Sequence, residues 1–125
     1  MRYYIGNTDK QWFDYLKELS PDDVNFWQPS GKQKFQAIPV GAPFLFKLKS
    51  PINKIAGIGF FVSHSLLPID FAWEVFGEKN GVVSLDEFIR KIGGYIPGAP
   101  FSIINITLPS YQALTFKSDS CYHIT

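Results

Sequence analysis

Residues 44–63 decide the fold and read FLFKLKSPINKIAGIGFFVS. The first six alternate, with one face made of Phe44, Phe46 and Leu48 and the other of Leu45, Lys47 and Lys49. Because successive side chains of a strand point to opposite faces, this alternation predicts a half-buried strand that presents two lysines on its polar side. Residues 50–53 are typical of a turn. Residues 54–63 are nearly all apolar and predict a second strand.

Two glycines of the second strand, Gly57 and Gly59, share one face. Glycine weakens a strand, so its presence there indicates a bend or the close approach of another group. We favour a strongly curved barrel strand. A ligand lying over the glycines is the alternative.

The N-terminal segment predicts a short strand over residues 2–5, followed by a helix. Thr8 and Gln11 have the spacing of a capping box. The helix that they open places four apolar side chains on one face: Trp12, Phe13, Leu16 and Leu19. Residues 20–23 end the helix or open another turn, and a further strand is predicted over residues 35–38.

The C-terminal half predicts two more helices and a closing pair of strands. The first helix covers residues 68–76 and turns four side chains inward, Phe71, Ala72, Val75 and Phe76, with Trp73 as a structural residue. Gly77 stops it, and residues 78–81 form a tight turn. Ser84 and Glu87 open the next helix. Strands follow over residues 102–108 and 111–116. The order β-α-(β-β-β)-α-α-β-β predicts an α+β domain with a curved, mostly antiparallel sheet.

Composition narrows the class of protein. A chain of 125 residues with 18% charged and 17% aromatic residues predicts one compact domain over residues 1–125. No stretch approaches the ~20 apolar residues of a membrane span, so no membrane partner is predicted. The single cysteine, Cys121, excludes an internal disulfide and fits a reducing cytoplasm. One cysteine and two histidines do not supply a zinc site of the usual ligand type.

Charge is segregated along the chain. Residues 24–69 contain no Asp or Glu, although they contain five lysines: Lys32, Lys34, Lys47, Lys49 and Lys54. A basic stretch of this kind is what a surface that follows nucleic-acid phosphates requires. The alternative is an ordinary solvated lysine face.

A candidate base pocket lies inside the same stretch, at Asn25-Phe26-Trp27-Gln28-Pro29-Ser30-Gly31. Aromatic faces hold flat rings, and side-chain amides read donor and acceptor edges. If the segment is extended, Asn25 and Trp27 share one face, which we take as the pocket, and Phe26 belongs to the core. Gln28, Ser30 and Tyr4 complete the candidates. The alternative is that both aromatics are core and that Pro29-Ser30-Gly31 is only a turn.

Catalytic chemistry is not predicted. His64 lies between two serines, and His123 is near the C-terminus. A Cys121–His123 nucleophile pair is conceivable, since alternate strand residues point the same way, but chain ends fray. Gly57-Ile58-Gly59 lacks the third glycine of a dinucleotide loop. The sequence therefore predicts no catalytic residue, no metal site and no cofactor.

Several motifs in order resemble a known family. They are Met1-Arg2-Tyr3-Tyr4-Ile5-Gly6, Thr8-Asp9, Trp12-Phe13, the run 24–31, Pro43-Phe44-Leu45-Phe46-Lys47, Gly57-Ile58-Gly59-Phe60-Phe61, Ala72-Trp73-Glu74-Val75-Phe76-Gly77 and Asn80-Gly81. Over residues 1–92 the chain resembles the N-terminal module of bacterial HNH restriction endonucleases, which is similar to the PUA-like superfamily of EVE, ASCH, YTH and SRA domains.

The resemblance implies a PUA-like β-barrel with about three flanking helices, and a reader of a modified base in duplex DNA that directs an HNH nuclease in bacterial defence. The chain has no HNH motif, so the module itself is expected not to be an enzyme. Residues 93–125 depart from the family and are expected to be a divergent or truncated tail. An RNA-binding PUA-like module and a small-molecule or protein-interaction domain stay open as alternatives.

Overall fold

The computed structural model of this protein describes residues 2–28, 35–93, 96–109 and 122–123. Its elements, in chain order, are strand β1 Tyr4–Thr8, helix α1 Lys10–Leu19, strands β2 Asp23–Gln28, β3 Pro43–Leu48 and β4 Lys54–Pro68, helix α2 Ile69–Phe76, a 3-10 helix Gly77–Asn80, helix α3 Leu85–Ile92, and strands β5 Pro100–Thr107 and β6 Tyr122–His123. The predicted α+β class is confirmed.

The sheet is mostly antiparallel, as predicted. Its order is β1-β3-β4-β5-β2, with β6 paired to the beginning of β4. Only β1 and β3 run parallel among the described pairs. Within the described residues β1 and β2 are edge strands that do not pair with each other, so the predicted closed barrel is wrong and the sheet is open.

Strand β4 is long and pairs with two neighbouring strands, β3 and β5. Its first half pairs with β3, its second half pairs with β5, and the register shifts between Phe61 and Ser63. Such an irregularity bends a strand. A Cβ built on Gly59 would lie 2.3 Å from Cγ2 of Ile106 on β5, so the close approach of a neighbouring strand requires glycine there. This supports the curved-strand interpretation over the ligand interpretation.

Two apolar cores lie on the two faces of the sheet. The larger core joins α1 to β2, β3, β4 and β5, and its most buried side chains include Leu16, Val24, Phe44, Phe46, Ile104 and Ile106. The smaller core packs α2, α3 and the segment before α3 against alternate residues of β5. Its buried side chains are Ile69, Ala72, Val82, Phe88, Phe101 and Ile103. The alternation predicted for residues 44–49 is confirmed, since Phe44, Phe46 and Leu48 are all buried.

Helix α1 begins one residue later than its sequence predicts. Thr8 remains in β1, where it pairs with Leu48 of β3 and is buried. Asp9 is the N-cap instead, and its Oδ2 accepts a hydrogen bond of 3.1 Å from the backbone N–H of Trp12. Strand pairing therefore keeps Thr8 in β1, although its spacing from Gln11 fits a capping box. The predicted Ser84 cap is confirmed, because Ser84 Oγ accepts from the N–H of Glu87.

Several apolar residues lie elsewhere than predicted. Residues 35–38 form no strand, although Phe35 packs on Tyr4 and Phe61. The third strand between α1 and α2 is instead β2. Phe71 and Val75 of α2 are exposed by 49% and 55%, because α2 turns Ile69 and Ala72 to the sheet. Leu19 is also exposed. The predicted strand over residues 111–116 lies outside the described residues.

Candidate functional site

A cavity of about 330 Å³ opens beside the start of α1, between β2 and the end of α3. Its lining residues are Asn7, Asp9, Trp12, Phe26, Trp27, Lys49 and Lys91. The three aromatic side chains are buried or half-buried, whereas the polar ones are mostly exposed. The cavity therefore has an aromatic floor, in which the rings of Trp12 and Phe26 stand at 87° to each other, beneath a polar rim. A mostly apolar lining with a few polar groups is the usual composition of a small-ligand site.

The two tryptophans of the floor are held by the same atom. The Nε1–H groups of Trp12 and Trp27 both donate to the backbone carbonyl oxygen of Asn80, at 3.0 and 2.8 Å. This carbonyl is at the end of the 3-10 helix, where carbonyls have no partner within the helix. A carbonyl oxygen has two lone pairs, so the two indoles satisfy it completely.

The side chain of Asn80 is fully buried and bonded on both ends. Its Nδ2 donates to the carbonyls of Ala72 and Gly77, at 3.0 and 2.9 Å. Its Oδ1 accepts from Nδ2 of Asn25 at 3.0 Å. Asn25 is equally buried, and its Oδ1 accepts from Nδ2 of Asn105. An amide chain therefore connects β5 and β2 to the 3-10 helix.

Helix α1 contacts the same 3-10 helix a second time. Tyr15 donates its hydroxyl proton to Oε2 of Glu78 at 2.8 Å. Burial, this hydrogen bond and the negative charges of Glu78 and Glu87 raise the pKa of Tyr15 to about 12. The protonated phenol is thus the form that fastens α1 beside the cavity.

The charge on the rim favours anions. Lys49 and Lys91 contribute two positive charges and Asp9 contributes one negative charge. Lys91 Nζ donates to Oε1 of Gln11 at 2.8 Å, which holds the ammonium group against α1. Among the ion pairs of the described residues, none involves Lys49 or Lys91. A rim with two lysines and one aspartate has a net positive charge, which attracts phosphate.

The structure distributes the predicted pocket residues over different places. Trp27 lies in the cavity wall, where its ring packs on Phe88 and Phe101. Asn25 lies on the same strand face as Trp27, as predicted. Its side chain is fully buried and hydrogen-bonded within the amide chain, so it exposes no surface to the cavity. Tyr4 packs on Phe35 and Phe44 and does not line the cavity. Gln28 ends β2, but its side chain and the whole of Ser30 lie outside the described residues.

The predicted phosphate contacts are also separated. Lys49 lines the cavity, and its backbone N–H donates to the carbonyl of Thr8. Lys47 lies on β3 and Lys54 begins β4, both half-exposed and away from the cavity lining. Lys32 and Lys34 lie outside the described residues.

Sequence reasoning missed five lining residues: Asn7, Asp9, Trp12, Phe26 and Lys91. Trp12 was assigned to the core, which is correct but incomplete, since one edge of a core ring can form a cavity floor. Phe26 likewise belongs to the core and borders the cavity. Asn7 lies beyond the predicted end of β1, and Lys91 lies outside the basic stretch. No periodic signal brings Lys91 to the start of α1.

We identify no second site among the other polar groups of the described residues. His64 Nε2 and Ser102 Oγ are 2.8 Å apart, but Ser102 is fully buried. No group of three metal-ligating side chains occurs in the part of the chain that the structure describes. Cys121 and the side chain of His123 fall outside that part. No described helix is long and apolar enough to span a membrane.

No protein-family model and no curated protein sequence matches the chain. Solved structures do match. The ASCH protein of Zymomonas mobilis superposes with a TM-score of 0.60 at 7% identity, covering 96% of this chain and 72% of that one. A mutant form of the same protein gives a TM-score of 0.62 at 8% identity, covering 98% and 75%. This chain therefore has the same fold as that ASCH protein.

Proposed function

We propose that this chain is a nucleic-acid reader that takes one modified base of DNA into the cavity at Trp27. The observation that carries the proposal is the pairing of an aromatic floor, made by Trp12, Phe26 and Trp27, with two lysines on the rim. In a DNA strand a base has two apolar faces and a polar edge, and the sugar that carries it is linked to phosphates. The cavity offers a partner for each of these three features.

Recognition would divide between the rim and the floor. Lys49 and Lys91 attract the backbone phosphates, which gives affinity that is independent of sequence and falls with salt. The base leaves the stack at a cost of a few kcal/mol. Stacking on the aromatic floor returns about 1–3 kcal/mol. The amide of Asn7 and the carboxylate of Asp9 also line the cavity, and we assign to them the reading of the polar edge of the base.

The biological setting of the proposal comes from the sequence resemblance. The resemblance over residues 1–92 is to modules that precede HNH nucleases in restriction endonucleases, and the ASCH fold is compatible with that resemblance. The role we assign to this chain is recognition, and we assign it no catalytic residue. Cleavage would belong to a nuclease that it recruits or precedes.

A fluorescence-anisotropy titration tests the proposal. The probes are matched duplexes with unmodified, methylated or hydroxymethylated cytosine, together with an RNA of the same sequence, each at two salt concentrations. We expect one modified duplex to bind more tightly than the unmodified duplex. Preference for the RNA would replace the proposal by an RNA-binding module. Equal, weak and salt-sensitive binding to all probes would reduce the site to a basic surface.

Two variants connect the result to the cavity. Lys49→Gln removes a rim charge, and we expect it to weaken binding to every probe. Lys10→Gln is the matched control, because Lys10 is an exposed lysine that pairs with Asp14 on α1 and does not line the cavity. Equal losses in the two variants would mean that binding does not take place at the cavity.

A further inference from the structure

We propose that Asn80 and Asn25 are positioning residues that set the orientation of the two tryptophans, so that base recognition depends on a buried amide chain outside the cavity. The inference rests on the proposed function for its consequence in binding. Neither asparagine lines the cavity. Their effect would pass through the carbonyl of Asn80, to which both indoles donate.

The first step is the shared acceptor. Trp12 comes from α1 and Trp27 from β2, so the backbone does not by itself fix the angle between their rings. Each ring has only one polar atom, and a buried indole N–H is costly to leave without a partner. Because both N–H groups converge on the Asn80 oxygen, a shift of that oxygen would turn both rings together.

The second step is the immobility of that oxygen. Asn80 can move only by breaking side-chain bonds to Ala72, Gly77 and Asn25, all of them buried or part-buried. A buried polar group that loses its partner costs its full desolvation energy. Asn25 contributes the bond that crosses from the sheet to the 3-10 helix, so it ties the carbonyl to the strand that also carries Trp27.

The third step is the close approach of Trp12 to Gly81, the residue that follows Asn80. Gly81 has φ of +85°, and a Cβ there would lie 2.1 Å from Cδ1 and 2.2 Å from Nε1 of Trp12. The indole therefore rests directly on the Gly81 backbone. The dipeptide Asn80-Gly81 thus holds Trp12 both by a hydrogen bond to its Nε1–H and by the close approach of the Gly81 backbone to its five-membered ring.

Exchange of the three indole protons with solvent, followed by NMR, tests the positioning directly. We expect Asn25→Ala to accelerate the exchange of Trp12 and Trp27 together by roughly fivefold or more, the equivalent of one lost hydrogen bond. The Trp73 indole packs in the smaller core and should not change. Asn105→Ala is the matched control. It removes another side chain of the buried amide chain but leaves the hydrogen bond between Asn25 and Asn80 intact.

The same variants are then titrated with whichever of the methylated and hydroxymethylated duplexes the wild type binds more tightly, and with a duplex carrying an abasic site at that position. We expect Asn25→Ala to lower the ratio of the two affinities by roughly fivefold, and Asn105→Ala to leave it unchanged. A structural role alone would lower stability in both variants without changing the ratio. Wild-type protein that does not distinguish the duplexes overturns the proposed function, whereas unchanged indole exchange in Asn25→Ala overturns the positioning role.

A second variant covers the case in which Asn25→Ala does not fold. Trp12→Phe keeps an aromatic ring but removes one of the two donors to the Asn80 oxygen. We expect the indole proton of Trp27 to shift and to exchange at a different rate, since the acceptor then serves a single donor. An unchanged Trp27 resonance and exchange rate would show that the two rings are not coupled and would overturn the proposal.

Discussion

We expect Trp27→Ala to remove most of the preference for a modified duplex while the chain still folds. The substitution deletes a half-buried indole that packs on Phe88 and Phe101, with ring centroids 5.5 and 6.3 Å away. It also deletes the hydrogen bond of 2.8 Å to the Asn80 carbonyl. The same ring lines the cavity, so stability and binding should both change.

The two magnitudes differ and can be separated. Replacing a fully buried large aromatic by alanine costs about 3–5 kcal/mol, and we expect about 2–4 kcal/mol here because the ring is partly exposed. A domain of this size has a free energy of unfolding of about 5–15 kcal/mol, so the variant should remain folded at low temperature. Loss of stacking should weaken binding by about 1–3 kcal/mol, which is roughly 5- to 150-fold.

Urea denaturation gives the first quantity, and anisotropy titration under conditions where the variant is folded gives the second. The matched control is Trp73→Ala, because Trp73 is also half-buried and packs in the smaller core but does not line the cavity. Full affinity of Trp27→Ala for the modified duplex would refute the stacking role. An equal loss of affinity in Trp73→Ala would show that stability, and not stacking, controls binding.

Three further perturbations test other parts of the structure. The double substitution Lys47→Gln and Lys49→Gln should weaken binding to all duplexes alike and flatten the salt dependence measured by titration, and a loss confined to one modification would contradict this. Gly59→Ala should lower the free energy of unfolding in urea by about 1–3 kcal/mol because its Cβ would meet Ile106, and an unchanged midpoint would contradict the close approach. Tyr15, whose pKa burial and a hydrogen bond raise from 10.0 to about 12, stabilises the fold fully below pH 10 and progressively less as the pH rises toward 12. Thermal melts over that interval should therefore show a smaller loss of stability in Tyr15→Phe than in the wild type, and parallel losses would count against the assignment.

Much of the candidate site could not be predicted from the sequence. The aromatic-amide run drew attention to Trp27, which does line the cavity, but it also suggested Asn25 as a base reader. The side-chain amide of Asn25 instead donates a hydrogen bond to Asn80, which lies 55 residues further along the chain. Nothing in the spacing around Asn25 distinguishes an amide that faces a ligand from one that faces another amide.

The elements were predicted best where the signal is local. The alternation of residues 44–49, the Ser84 cap and the structural role of Trp73 all depend on neighbours within a few positions, and all are confirmed. Helix α2 was predicted as an element but with the wrong face inward, because Phe71 and Val75 are apolar yet exposed. Hydrophobicity indicates that a helix packs somewhere, whereas the partner sheet decides which side does so.

The sequence alone determined the class of fold, the positions of most helices and strands, and the absence of acids from a stretch that contains five lysines, because periodicity, capping and charge are properties of adjacent residues. Tertiary structure decided that the sheet stays open among the described strands, that Asp9 rather than Thr8 caps α1, and that Lys91 joins Lys49 at the cavity. These outcomes depend on pairing and packing between segments that are distant in the chain. At the cavity, two tryptophans from different elements donate to one carbonyl oxygen, that of Asn80, which lies more than 50 residues away in the chain.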